Sequence, residues 1–209
     1  MVKKRIEEIQ RKRNTQTIRK NVYISCEGET EEAYLKGLKK CFKDVATIKI
    51  SNSNRTAAKD VVKNLKNKYS KEYDKSDLKY CVFDCDDNSQ NDINEALKLA
   101  EKEHARVIFS NPCFEIWLLW HFKNDFSFQN SNDNLKREIE KLLKPNYWTY
   151  KNNPTLYDLL ESKRSNAQMN HAHRKSQLER DNIPQYSRES NPFSNMDDLL
   201  SDLIQLHNQ

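Results

Sequence analysis

Four short apolar runs alternate with segments of helical period, and that alternation leaves few folds open. The runs lie at 21–26, 45–50, 79–83 and 105–109. Helices are expected at about 30–42, 56–69 and 93–103, and a strongly apolar one follows Ser110-Asn111-Pro112 to about 122. The order β-α-β-α-β-α-β-α predicts an α/β domain with a mostly parallel sheet, helices on both faces and right-handed crossovers. In the first helix Ala33, Tyr34, Leu38 and Cys41 form an apolar stripe. Thr30 is read as its cap, with Glu31 and Glu32 in its first turn. Asn111 is read as the cap of the fourth helix and Pro112 as its first residue.

Two acidic clusters follow strand-like runs: Glu27-Gly28-Glu29 after the first, and Asp84-Cys85-Asp86-Asp87 after the third. Carboxylates at the strand ends of an open α/β sheet sit in the crevice where ligands bind. In extended backbone Asp84 and Asp86 point to the same side. Together with Glu27 from a neighbouring strand they can share a hard divalent cation such as Mg²⁺, with Mn²⁺ as a substitute. That points to phosphate chemistry. Asp87 and Asp92 are read as ordinary loop acids or caps. Gly28 is read as allowing unusual backbone angles or close approach of a ligand.

Charge is unevenly spread. Residues 1–20 hold eight Lys and Arg against Glu7 and Glu8, a net of +6 within a chain total of +5. A basic arm on a near-neutral body suits nucleic acid, with Arg11, Lys12, Arg13, Arg19 and Lys20 as contacts; a solvated tail fits equally. Five cysteines without a CxxC pair argue against a zinc site or a disulfide framework, and all but Cys41 are expected to be buried thiols. No run approaches the roughly 18 apolar residues of a membrane span, and the basic N-terminus lacks a signal-peptide core. A cytoplasmic protein without membrane contact is expected.

Cys26-Glu27-Gly28-Glu29-Thr30-Glu31 followed by a helix, and then Phe83-Asp84-Cys85-Asp86, resembles the Toprim domain. The block from Ser110-Asn111-Pro112-Cys113-Phe114-Glu115 to His121-Phe122 resembles the RloB-like proteins, a Toprim-related family of restriction and abortive-infection loci. The resemblance is good over about 11–122 and loose beyond. It implies Mg²⁺-dependent phosphodiester chemistry. Glu27 would be the general acid/base or a metal ligand, Asp84 and Asp86 would be metal ligands, and Glu29 and Glu31 weaker additions. Glu115, in the first turn of the fourth helix, is a further candidate ligand or a lid contact. The chain has no P-loop, so an ATPase partner from the same defence system would be a separate protein.

Residues 1–20 are thus read as a basic arm, 21–122 as a Toprim-like α/β domain and 123–209 as a mostly helical C-terminal extension. Within the last, 132–143, 154–180 and 194–206 look helical and 180–192 a loop. His121 is read as a packed core histidine. His171 and His173 are read as solvated or phosphate-facing beside Arg174 and Lys175, not as a ligand pair. Lys163, Arg164, Arg174 and Lys175 are read as a solvated face. Tyr147–Lys151 is read as packing, with base stacking as the alternative. The expected function is a metal-dependent nuclease of anti-phage defence, with RNA such as tRNA preferred over DNA by analogy with Toprim effectors of abortive infection. A non-catalytic nucleic-acid- or partner-binding module, or phosphoryl transfer on a small nucleotide, also fits the residues.

Overall fold

The structure is a computed structural model that describes residues 20–55, 57–86, 88–143 and 155–208. Four strands run parallel: β1 (Lys20–Cys26), β2 (Ala46–Asn52), β3 (Leu78–Asp84) and β4 (Arg106–Asn111). A two-residue strand, β5 (Phe193–Ser194), pairs antiparallel with β4, giving the order β2-β1-β3-β4-β5. The helices are α1 (Glu29–Cys41), α2 (Ala58–Tyr69), α3 (Gln90–Lys102), α4 (Glu115–Trp120), α5 (Asn132–Leu143), α6 (Leu156–Glu161), α7 (Arg164–Arg180) and α8 (Met196–His207). The α/β reading therefore holds. Among the described residues no helix is long and apolar enough to cross a membrane.

Side chains alternate across a strand, and here both faces are covered. Val22, Ile24, Tyr80, Val82 and Ile108 pack with α1, α4, α5, α6 and α8 on one face. Tyr23, Cys81, Phe83, Val107 and Phe109 pack with α2 and α3 on the other. That double burial is why the strands read as near-continuous apolar runs. The segment beyond residue 123 shares this core: Leu135, Ile139, Leu160, Leu199 and Leu203 belong to the first cluster, and Phe193 to the second.

Several local expectations change. Gly28, not Thr30, caps α1, and Thr30 is buried inside its first turn. Gly28 is extended (φ −132°, ψ −173°), which any residue adopts, so its role is space: a Cβ there would lie 3.1 Å from the Glu31 Oε2. Asn111 ends β4 and does not cap α4. Its amide instead donates to Ser187 O at 2.8 Å, Arg188 O at 3.2 Å and Ser190 Oγ at 3.2 Å. Helix α4 starts three residues after Pro112. The 154–180 segment divides into α6 and α7. Asp92 is indeed a cap, completing a capping box with Ser89 at the start of α3. Cys26, Cys81, Cys85 and Cys113 are buried and Cys41 is exposed, as expected.

Gly37 marks the tightest helix contact. A Cβ there would stand 2.4 Å from the Tyr157 Cβ of α6. Gly37→Ala gains about 1 kcal/mol of helix propensity. Forcing α1 away from α6 offsets that, since overpacking destabilises by about 1–3 kcal/mol. A net loss of up to about 2 kcal/mol is expected by urea denaturation.

Candidate active site

The chain runs from β1 through α1 to β2 at one edge, then through α2 across β1 to β3 on its other side. Strand order thus reverses between β1 and β3, and ligands of open α/β sheets bind beyond the strand C-termini at such a reversal. Glu27 follows β1 and Asp84 ends β3. The Asp84 backbone N–H donates to the Glu27 Oε2 at 3.1 Å, which fixes the glutamate across the gap. Asn88 secures this corner: its Nδ2 donates to Asp84 O at 3.0 Å, and its Oδ1 accepts from Ala58 N at 2.9 Å at the start of α2.

A cleft of about 290 Å³ opens here, lined by Glu27, Glu29, Glu31, Asp84, Asp86 and Glu115, with Gly28, Thr30 and Cys113 between them. Glu31 and Glu115 are each 4% exposed and Asp84 8%. Burial drives the Asp84 carboxyl well above the usual carboxylate range, and the nearby Glu31, Glu27, Glu115 and Asp86 add to the shift. Burial likewise raises the Cys113 thiol, with Glu115 and Asp84 adding to it, so this cysteine is not an activated nucleophile. Lys136 of α5 is the single cation among the described lining residues.

The structure brings Glu27, Asp84, Asp86 and Glu115 together as the sequence suggests, with one change of geometry. Strand β3 ends at Asp84, and Asp86 stands in the following turn. Asn132 Nδ2 of α5 donates to the Asp86 Oδ2 at 3.1 Å. Glu31 is more central to the cleft than its sequence position implies. In sequence it looks like a first-turn acid complementing the helix dipole, yet among the carboxylates it exerts the largest charge effect on Asp84. Asn88, Asn132 and Lys136 had no local signal. Lys20 is exposed at the start of β1. Arg11, Lys12, Arg13, Arg19, Asp87 and Tyr147–Lys151 lie outside the described residues.

The donor chemistry fits a hard cation. Apart from Lys136, every charged lining group is a carboxylate, and the buried Asp84 Oδ1 accepts no hydrogen bond. As the side chains stand, no three His, Cys, Asp or Glu among the described residues are grouped to hold an ion.

The histidines stand apart from this cleft. His121 is a core residue: it is 1% exposed, its ring packs edge-on to Trp117, and its Nδ1 lies 2.9 Å from Trp117 O. Burial lowers its pKa to about 4. The unfolded chain therefore binds an extra proton between pH 6.5 and 4, and stability falls as pH drops through that window. The slope approaches about 1.4 kcal/mol per pH unit. His121→Gln is expected to remove this slope in denaturation curves compared at pH 7 and pH 5. His173 is exposed and stacks on Phe126 at 4.8 Å. His171 and Arg174, read as solvated, are buried. His171 Nδ1 lies 3.6 Å from Asp197 Oδ2, and Arg174 bonds to backbone carbonyls.

The family model described as RloB-like protein matches residues 22–203. No curated protein and no solved structure matches the chain.

Proposed function

This chain belongs to the RloB-like protein family, and from its acidic cleft we propose that it is a divalent-metal-dependent nuclease. The observation that carries the reading is the convergence of Glu27, Glu31, Asp84, Asp86 and Glu115 on one cleft at the strand-order reversal. Glu31, Asp84 and Glu115 are buried, and buried carboxylates beside two further ones are tolerable where a cation and a phosphate complete the charge balance. The Toprim resemblance of Glu27, Asp84 and Asp86 supports the same reading.

In this proposal Asp84 and Asp86 hold Mg²⁺ or Mn²⁺, with Glu31 or Glu115 as a further ligand. The ion, when bound, supplies Lewis acidity at the phosphoryl oxygens. Glu27, oriented by the Asp84 N–H, takes a proton from the attacking water. The water oxygen bonds to phosphorus as the bond to the leaving oxygen breaks, and that oxygen takes a proton from solvent. Lys136 offsets phosphate charge at the cleft. The basic arm holds the nucleic-acid backbone, so affinity falls steeply with salt. RNA such as a tRNA is the proposed substrate ahead of DNA, and anti-phage defence the proposed setting, by the family resemblance alone.

The test is cleavage of end-labelled tRNA and DNA with Mg²⁺, with Mn²⁺ and with EDTA. Cleavage that needs the metal and drops about 100-fold or more in Glu27→Gln is expected, the usual scale of general base catalysis. Cleavage indifferent to EDTA or to Glu27→Gln would overturn the reading. Tight binding in EDTA with no cleavage under any metal would point instead to a binding module.

A further inference from the structure

A second cleft, about 510 Å³, adjoins the acidic one, and Asp86 lines both. Its character is different: Asn111, Phe128, Asn130, Asn132 and Arg188 line it along with Asp86. We propose that this cleft is a nucleobase subsite, which takes the base of the single-stranded nucleotide next to the phosphate held in the acidic cleft. The proposal rests on the nuclease reading and names the part of the substrate that the same site recognises.

Three observations carry it. First, Phe128 is 64% exposed; of the large apolar side chains described, Phe128 and Met169 alone stand out in solvent. An exposed ring at the mouth of a polar cleft suits stacking with a base, which every nucleobase offers.

Second, the lining is rich in side-chain amides whose bonding is only partly used. Asn132 spends one N–H on Asp86, and Asn111 directs its amide nitrogen to Ser187, Arg188 and Ser190. The Asn132 amide keeps its oxygen and one N–H, while the buried Asn111 holds the wall of the cleft. Arg188 donates through Nη1 to the carbonyls of Asn88 and Asp86 and keeps its other guanidinium donors. Amide groups can pair with a base edge through both donor and acceptor.

Third, the cleft is held in shape. Gln129 N donates to the Asn191 Oδ1 at 2.9 Å, and Asn191 Nδ2 returns a bond to Gln129 O at 3.1 Å. Asn191 is fixed in turn by Arg174, whose Nη2 donates to its carbonyl at 3.1 Å. The loop carrying Phe128 and Asn130 is therefore anchored one residue away from the ring. A pocket of several hundred Å³ with a few placed polar groups is the usual form of a small-ligand site.

Two measurements test this. In the first, Asp84→Asn protein in EDTA binds labelled single-stranded oligonucleotides by fluorescence anisotropy, alongside abasic oligonucleotides of the same length. Base-bearing strands are expected to bind about ten-fold or more tightly than abasic ones. Phe128→Ala is expected to abolish that difference and Phe128→Trp to keep it. Both variants change an exposed side chain, so folding is expected to survive. In the second, the wild type cleaves a random single-stranded RNA pool. A base preference at one position beside the cut is expected, and Asn130→Ala should flatten it. Equal binding of base-bearing and abasic strands, or a difference indifferent to Phe128→Ala, would overturn the subsite while leaving the nuclease reading intact. Absence of cleavage on every substrate would remove the nuclease reading, and the anisotropy comparison would still decide the subsite.

Discussion

Asp84→Asn is expected to abolish metal-dependent cleavage and, in the absence of metal, to make the protein more stable. The two effects have one origin. Asp84 is almost fully buried, its Oδ1 accepts no hydrogen bond, and Glu31, Glu27, Glu115 and Asp86 oppose its ionisation. An amide has the same shape without the charge and can donate toward those carboxylates. A gain of about 1–2 kcal/mol is the scale of relieving one buried polar group without a partner. It would raise Tm by about 2–4 °C per kcal/mol in a chain of this size. The effect has a defined pH sense. The folded-state pKa is raised above the ordinary 3.8, so the folded form binds the proton more tightly than the unfolded form. Wild-type stability from this group is therefore lost as pH rises from about 4 toward the raised value. The advantage of Asp84→Asn should open over that range and vanish in acid. Thermal melts in EDTA at pH 4 and pH 8 check the stability. Cleavage assays should show a loss of at least about 100-fold. A destabilised but active Asp84→Asn protein would contradict both halves.

Arg174→Ala is expected to cost about 3–5 kcal/mol, the largest stability loss foreseen for one surface-type residue in this chain. Its guanidinium is buried and reaches four acceptors: Pro192 O at 2.8 Å, Ser190 O at 3.2 Å, Asn191 O at 3.1 Å and Gln177 Oε1 at 2.9 Å. Truncation strips buried carbonyls of their donor, and each costs about 1–3 kcal/mol when left unmade. The segment it holds leads directly into β5 and carries Asn191, which fixes the Phe128 loop. A Tm drop of roughly 6–20 °C is expected. Arg174→Lys should recover only part of it, since an ammonium lacks the planar fork that spans adjacent carbonyls. An Arg174→Ala protein melting within about 2 °C of wild type would show that these bonds contribute little net stability.

The parallel sheet was legible because its strands are covered on both faces and so are written as apolar runs between helical segments. Glu27, Asp84 and Asp86 were legible as a set because strand ends and sequence order alone bring them to one edge. Glu31 was only half legible: its helical position explains an acid there, while its effect on Asp84 and its close contact with Gly28 arise only in the fold. Strand β5 was not legible at all. Two residues carry no period, and the pairing is completed by the Asn195 side chain, which accepts from Phe109 N at 2.7 Å and donates to Val107 O at 3.0 Å. Helix α7 misled for a related reason. It buries Asn170, His171 and Arg174, and Asn170 donates to Trp120 O and Lys123 O at the end of α4. A helix that packs through polar side chains and backbone carbonyls reads in sequence as a solvated one.

The most direct measurement is anomalous diffraction from crystals soaked in Mn²⁺. The account requires a manganese peak in the cleft between β1 and β3, touched by Asp84 and Asp86, with Glu27 within reach, and its loss in Asp84→Asn crystals. Soaked crystals with no peak there, and with the carboxylates as far apart as in unsoaked ones, would contradict it.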